Sequence, residues 1–184
     1  MAALASRRAF VALFPEARDA RRLARRAAPR LAGYRPVPWL NYHLTLAWIG
    51  PLEEAQCECL AACLPDLARL LPKAVAVRAI APFPHPGGPL LAAEIACEEA
   101  LCELHEAVGA RLAQYGLAPP ARPFRPHVTL GRADGGARRP PAPSPCRLRL
   151  AVAALGLYHG RTENGEYRYV PLAKIAARAA DRSG

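Results

Sequence analysis

The sequence predicts an α+β chain built by internal duplication. Three observations carry that prediction. Apolar residues make up 52% of the 184 residues and charged residues 22%, which suits a globular core and excludes general disorder. The order strand–helix–loop–strand occurs twice, first at 8–14, 16–28 and 41–49 and again at 90–97, 98–115 and 127–132. Each copy closes on the same pattern, His-x-Thr-Leu.

The elements follow in order. SRRAFVALF has the look of a twin-arginine export signal, but its apolar stretch ends at Phe14 and the charged PEARDARRLARR follows. Residues 7–14 are therefore read as the first strand. Pro15 sits where proline favours a helix start, and 16–28 is read as a helix with a solvated face of Arg18, Arg21, Arg22, Arg25 and Arg26. GYRPVP is read as a loop. Residues 41–49, NYHLTLAWI, alternate as a strand does, and Gly50-Pro51 stops them. Leu60, Leu64, Leu67 and Leu71 give 52–71 a helical period, with Pro65 expected to kink or split it.

Residues 73–81 alternate as a strand, PFPHPGGP is a turn, and 90–97 is a short strand. Leu101, Leu104, Val108, Leu112 and Tyr115 mark a helix over 98–115 that Gly116 ends. Residues 117–126 are a proline-rich approach to the strand at 127–132. Residues 133–145 are read as a loop with at most polyproline character. Strands at about 146–158 and 166–174 are joined by the turn HGRTENGE, and the tail from about 176 is expected to fray.

The net charge of +10 suggests an anionic partner such as nucleic acid, a nucleotide or a phosphate. The chain is rich in alanine, proline and arginine throughout, with Lys73 and Lys174 its only lysines, so composition alone also accounts for part of that charge. Cys57, Cys59, Cys63, Cys97, Cys102 and Cys146 form no Cys-x-x-Cys pair. They are expected to be small hydrophobes, reduced in a cytoplasmic protein. No apolar run reaches the roughly 18 residues of a membrane span.

His43-Leu44-Thr45-Leu46 and His127-Val128-Thr129-Leu130 use two of the five histidines and two of the three threonines. On a strand, residues i and i+2 share a face. Each His and Thr therefore project together, while Leu44, Leu46, Val128 and Leu130 point into a core. If the two copies face each other, two His/Thr pairs line one cleft. Histidine titrates near neutrality, so one imidazole can serve as base and its twin as acid. Threonine hydroxyls can hold non-bridging phosphate oxygens. In-line displacement at phosphorus needs a proton removed on one side and one supplied on the other, and this set provides both without a metal.

With these motifs the chain resembles the two-histidine phosphoesterases, and within them the RNA 2′,3′-cyclic phosphodiesterases also called 2′-5′ RNA ligases. RAFVALFP, NYHLTLAWIG, RPFRPHVTLGR and LGLYHGRTENGEYRYVPL carry the resemblance over nearly the whole chain. It implies one domain over 1–184, bilobal, with pseudo-twofold duplicated lobes, each an antiparallel sheet flanked by helices, around a central cleft. It implies hydrolysis of RNA 2′,3′-cyclic phosphate ends to 2′-phosphates, with His43 the proton donor to O3′ and His127 the base for water. The near-symmetry of the motif leaves the two roles interchangeable on residues alone. Ligation would be the reverse reaction.

Thr45 and Thr129 would hold the phosphate. Arg125, two before His127, would share its face. Arg132 is a further phosphate candidate, although strict alternation puts it on the wrong face unless the strand bends or ends. Phe10 and Phe124 are candidates to pack under the site or to stack a base, while Trp39, Tyr42 and Trp48 are read as core. No cofactor or metal is expected. The expected partner is RNA with a 2′,3′-cyclic phosphate terminus or a related nucleotide, with no membrane and a monomeric chain. The alternatives are a phosphodiesterase of 2′-5′ oligonucleotides or small nucleotide cyclic phosphates, and a non-catalytic RNA-binding protein, which the paired motifs disfavour.

Overall fold

The computed structural model describes residues 7–118, 122–135, 140–163 and 166–177. The elements are β1 (Arg7–Pro15), α1 (Ala17–Ala27), β2 (Tyr34–Pro36), β3 (Leu44–Leu52), α2 (Glu54–Leu67), β4 (Ala74–Phe83), β5 (Leu90–Ile95), α3 (Glu99–Gln114), β6 (His127–Ala133), β7 (Ser144–Glu163) and β8 (Glu166–Ala176). The strands form one eight-stranded antiparallel sheet in the order β1-β3-β6-β5-β4-β7-β8, with β2 added to β6 and a further pairing of β1 with β7.

This order divides into two similar halves. One runs β3-β1-β7-β8 and the other β6-β5-β4-β7, so each His-x-Thr-Leu strand lies against the first strand of its own copy. The long β7 serves both halves: Ser144–Ala151 pairs with β4, and Val152–His159 with β1. The handover at Ala151 is secured by a buried carboxylate. Asp19 Oδ2 accepts the Ala151 N–H at 3.0 Å, Arg22 pairs with its other oxygen at 3.1 Å, and the Glu16 N–H donates to the Ala151 carbonyl. A strand changing partners leaves peptide groups that a ladder would otherwise pair, and these bonds satisfy them.

Alternation places the core. Ala9, Val11 and Leu13 of β1 join one large apolar cluster with Leu23 of α1, Leu60, Leu64 and Leu67 of α2, and Leu101, Leu104, Val108 and Leu112 of α3. Phe10 and Ala12 point to the other face and pack with Tyr158. The helices thus cover one face, and the opposite face carries the histidines.

Several expectations are corrected. GYRPVP contributes a strand, β2, because Tyr34 is buried and its neighbours find ladder partners on β6. β3 begins one residue after His43, since Trp39–Asn41 form a 3₁₀ turn. Pro65 does not split α2. It lies two residues from the helix end, so only one intrahelical bond is lost before the chain tightens into a 3₁₀ turn at Ala68–Leu70. The closing hairpin is paired as far as Glu163 and Glu166. Cys97 and Cys102 form a disulfide across the β5–α3 connection, their Cα atoms 5.8 Å apart and within reach of a bridge. Cys59, Cys63 and Cys146 are free thiols. Much of the tail expected to fray lies outside the described residues. Among the described residues, no helix is long and apolar enough to cross a membrane.

Candidate active site

Strands β3 and β6 of the two halves join at one backbone pair, Leu44 opposite Val128. These are the middle residues of the two motifs. In an antiparallel register the next positions outward set His43 beside Thr129, and Thr45 beside His127. Leu44, Leu46, Val128 and Leu130 are all buried in the core, while the four His and Thr side chains are half-buried on the other face. The sheet thus brings both motifs to one place.

Each imidazole is fixed in the same way. His43 Nδ1 lies 2.7 Å from the Asn41 carbonyl, and His127 Nδ1 lies 2.8 Å from the Arg125 carbonyl. A carbonyl only accepts, so Nδ1 carries the proton and donates it. In the neutral ring Nε2 is then left with its lone pair. Both bonds reach two residues back, so the duplication extends to the tautomer.

The duplication also extends to a bulge. Val11 and Ala12 of β1 pair with Ala47 and Thr45, leaving Leu46 as an extra residue. Leu91 and Ala92 of β5 pair with Gly131 and Thr129, leaving Leu130 as an extra residue. A bulge reverses the alternation beyond it. Leu46 and Ala47 are therefore both buried and Trp48 is exposed, while Leu130 and Gly131 are both buried and Arg132 is exposed. The strand does depart from strict alternation, and this returns Arg132 to the histidine face. Its positive charge lies close enough to the Tyr169 hydroxyl to oppose the rise that burial causes in that pKa, and close enough to His43 to disfavour that ring's protonation.

The surroundings of the two histidines differ. His43 sits among aromatic rings: Phe10 at 5.1 Å, Phe14 stacked at 5.5 Å and Tyr169 edge-on at 4.5 Å. Burial lowers its pKa to about 4. Its bond to Asn41 opposes that shift, and the charges of His127 and Arg132 add to it. His127 stacks on Phe83 at 4.0 Å, and Arg125 covers that ring at 4.6 Å while donating to the Pro84 carbonyl. Burial lowers the His127 pKa as well. Its bond to the Arg125 carbonyl raises it, the Arg125 guanidinium lowers it, and Glu94, its cross-strand partner, raises it.

Arg125 is thus beside His127, at the wall of a cavity of about 500 Å³ that Glu94 and His85 also line. Phe10 is buried beneath His43, which leaves it a packing role. Phe124 is not brought to the histidine pair. Its ring stacks on His105 of α3 at 3.8 Å, and His105 Nδ1 donates to the Leu46 carbonyl at 2.9 Å. That carbonyl belongs to the bulged residue, so Phe124 and His105 support the bulge from the core side. Trp39 and Tyr42 are packed or buried as expected, but Trp48 is 47% exposed and not core.

Sequence reasoning missed Tyr169, Glu94 and Arg35, which stands opposite Arg132 in the β2–β6 ladder. It also missed the equivalence of Trp48 and Arg132. Both lie five residues after their histidine, a signal available once the two motifs are aligned. Among the described residues, no group of three or more His, Cys, Asp or Glu is placed to hold a metal ion.

Comparison with known proteins bears on the family and the fold. The sequence model of a family described as the 2′-5′ RNA ligase superfamily matches residues 12–159. The structure of TT0787 from Thermus thermophilus superposes with a TM-score of 0.79 at 27% identity, covering 93% of this chain and 98% of that one. E. coli LigT complexed with 3′-AMP gives 0.69 at 23% identity, covering 95% and 100%. The phosphodiesterase (PDE) domain of MHV ns2 gives 0.52 at 17%, covering 81% and 97%. No curated protein matches the chain.

Proposed function

The chain belongs to the 2′-5′ RNA ligase superfamily, and we propose that it hydrolyses the 2′,3′-cyclic phosphate ends of RNA to 2′-phosphates by paired-histidine catalysis. The observation that carries this reading is the single crossing of β3 with β6, which sets two His/Thr pairs against each other with both Nδ1 atoms tied back. A cyclic phosphodiester is strained and carries one negative charge. Its opening needs a nucleophile, a leaving-group acid and donors for the two non-bridging oxygens.

In the proposed step, His127 Nε2 takes a proton from water as the water oxygen attacks phosphorus. The P–O3′ bond breaks on the opposite side, and protonated His43 gives its proton to O3′. Thr45, Thr129 and Arg132 hold the non-bridging oxygens, with Arg125 at the margin. The product is a 2′-phosphate monoester. His43 ends neutral and His127 protonated, and exchange with solvent restores both. Ligation uses the same groups with an RNA 5′-hydroxyl in place of water: its proton passes to His127, its oxygen bonds to phosphorus, and O3′ leaves with the proton of His43 to give a 2′-5′ diester.

A second reading keeps the chemistry and changes the substrate to a small nucleotide or a 2′-5′ linked oligonucleotide. It is favoured by the LigT structures complexed with 3′-AMP, ATP and NADP⁺. The deciding experiment incubates the protein, in EDTA, with an oligonucleotide ending in a 2′,3′-cyclic phosphate and, separately, with a 2′-5′ dinucleotide. The proposal expects a 2′-phosphate product from the first, lost by several orders of magnitude in His43→Ala and in His127→Ala. Full activity in the double variant, or a 3′-phosphate product, would overturn it.

A further inference from the structure

The charge of the chain is unevenly placed. Residues 16–30 hold six arginines against two carboxylates, which puts +4 of the net +10 into one short segment. Successive residues of α1 turn by about 100°, so Arg18, Arg21, Arg22, Arg25 and Arg26 share one exposed face, about 12 Å long from Arg18 to Arg26. Ala20, Leu23 and Ala27 take the buried face. The carboxylates do not cancel the exposed one. Asp19 is buried and held by Arg22 and the Ala151 N–H, with Arg18 at 3.7 Å. Among the described residues, no carboxylate lies within 4 Å of Arg21, Arg25 or Arg26.

This basic face begins beside His43. Phe14, on which His43 stacks, is three residues before Ala17, the first residue of α1, and so at most about 11 Å from it along the backbone. Arg21 lies over the Trp39 ring at 4.4 Å, and Trp39 opens the 3₁₀ turn whose Asn41 carbonyl holds His43 Nδ1. One 3₁₀ turn therefore links His43 to the basic face, and nothing in the hydrolytic step uses that face.

We propose that the arginine face of α1 is the track for the RNA chain that runs 5′ from the nucleotide in the cleft, held there as a single strand by its phosphates. This rests on the hydrolytic reading given above and extends its substrate from a nucleotide to a polymer. In that reading O3′ leaves toward His43 and water enters from the His127 side. The ribose that carries O3′ lies on the His43 side of phosphorus, and the chain joined through its O5′ leaves the cleft over the same half, where α1 begins. Guanidinium groups bind phosphate oxygens through charge and paired donors and do not read bases, so the track is indifferent to sequence. A small cyclic nucleotide has no chain to lay on it.

The test replaces Arg21, Arg25 and Arg26 together by Gln, a residue that suits a helix and removes three exposed charges. In the first arm, a labelled RNA decamer ending in a 2′-phosphate is bound at salt concentrations from about 50 to 200 mM and followed by fluorescence anisotropy. The slope of log K against log salt is expected to fall in magnitude by about 2, since each single-strand phosphate contact contributes about 0.7. In the second arm, kcat and KM are measured for a decamer ending in a 2′,3′-cyclic phosphate and for adenosine 2′,3′-cyclic phosphate. The unaltered protein is expected to have a KM about tenfold or more lower for the decamer, and the triple variant to lose that advantage. Its kcat for both esters, and its KM for the mononucleotide, are expected to stay within about twofold. Lys at the three positions is expected to restore most of the loss. Arg69→Gln, on the 3₁₀ turn after α2, is the control and is expected to change neither arm.

An unchanged salt slope, an equal rise of KM for both esters, or a control variant that acts like the triple one would overturn the proposal. A slope that falls while the decamer KM stays the same would place the bound RNA away from the cleft and overturn it too. If the unaltered protein hydrolyses neither ester, the hydrolytic reading fails, and the anisotropy arm still decides whether α1 holds the RNA chain.

Discussion

The low proton affinity of His43 makes the pH dependence of catalysis the sharpest test of the site. In the free protein His43 has a pKa near 4, so at pH 7 about one molecule in a thousand carries the proton that the acid must supply, a deficit of about 4 kcal/mol. His127 is also shifted below the ordinary 6.5. In the proposed reaction the productive free form has His43 protonated and His127 neutral. Raising the pH through about 4 removes the first proton, and lowering it through the His127 value blocks the base. The rate constant kcat/KM, which reports the free protein, is therefore expected to peak below pH 6.5.

Substrate changes the balance. One negative charge about 4 Å from an imidazole, at an effective dielectric constant of about 20, favours protonation by about 4 kcal/mol, or about three pKa units. That returns His43 to about 7, where it can hold a proton at neutral pH. The kcat profile is thus expected to lie well to the alkaline side of the kcat/KM profile. Steady-state rates between pH 4 and 9, together with NMR titration of the His43 ring in the free protein, provide the assay. Coincident profiles centred above pH 7, or a His43 ring that titrates near 6.5 without ligand, would refute the reasoning. Glu94→Gln gives an internal control: loss of that carboxylate lowers the His127 pKa further and moves the base-controlled limb of kcat/KM to more acidic pH.

Three structural predictions accompany it. His105→Ala removes both the bond to the Leu46 carbonyl and the ring beneath Phe124, so it is expected to cost about 1–3 kcal/mol in urea denaturation. Asp19→Ala leaves the Ala151 N–H unpaired where β7 changes halves, with a similar cost of about 1–3 kcal/mol expected in the same assay, whereas Asp19→Asn, which keeps an accepting oxygen, is expected to lose less. Gly131→Ala would put a Cβ 2.6 Å from Leu31 Cδ2 and 3.0 Å from Tyr34 Cβ. It is expected to destabilise by about 1–3 kcal/mol and to lower kcat/KM by displacing Arg132, and an unchanged melting temperature would contradict the tight packing of β2 on β6.

What the sequence revealed follows from periods. The helix of Leu101, Leu104, Val108 and Leu112 and the strands at the two motifs are visible because burial repeats at 3.6 or at 2. The meeting of His43 and His127 was legible for the same reason, since alternation fixes the face and repetition fixes the partner. What escaped notice breaks a period or lies far away in sequence. Tyr169 reaches His43 from the last strand, and no local pattern announces that. Phe124 looks like a neighbour of the site because it is three residues from His127, yet it is held by His105, which only the packing of α3 reveals.

The bulge is the most instructive case. Strict alternation places Arg132 on the core face, an expensive position for a guanidinium without a partner. Taken with the motif, that expense is itself a signal: a charged residue at a core parity, beside a glycine, argues that the strand inserts a residue before it. The same logic applied at Trp48 gives no such warning, because an indole is at home in a core. Only the alignment of the first motif on the second transfers the inference from Arg132 to Trp48. The duplication therefore does more than double the catalytic groups. It lets the less ambiguous copy correct the reading of the other.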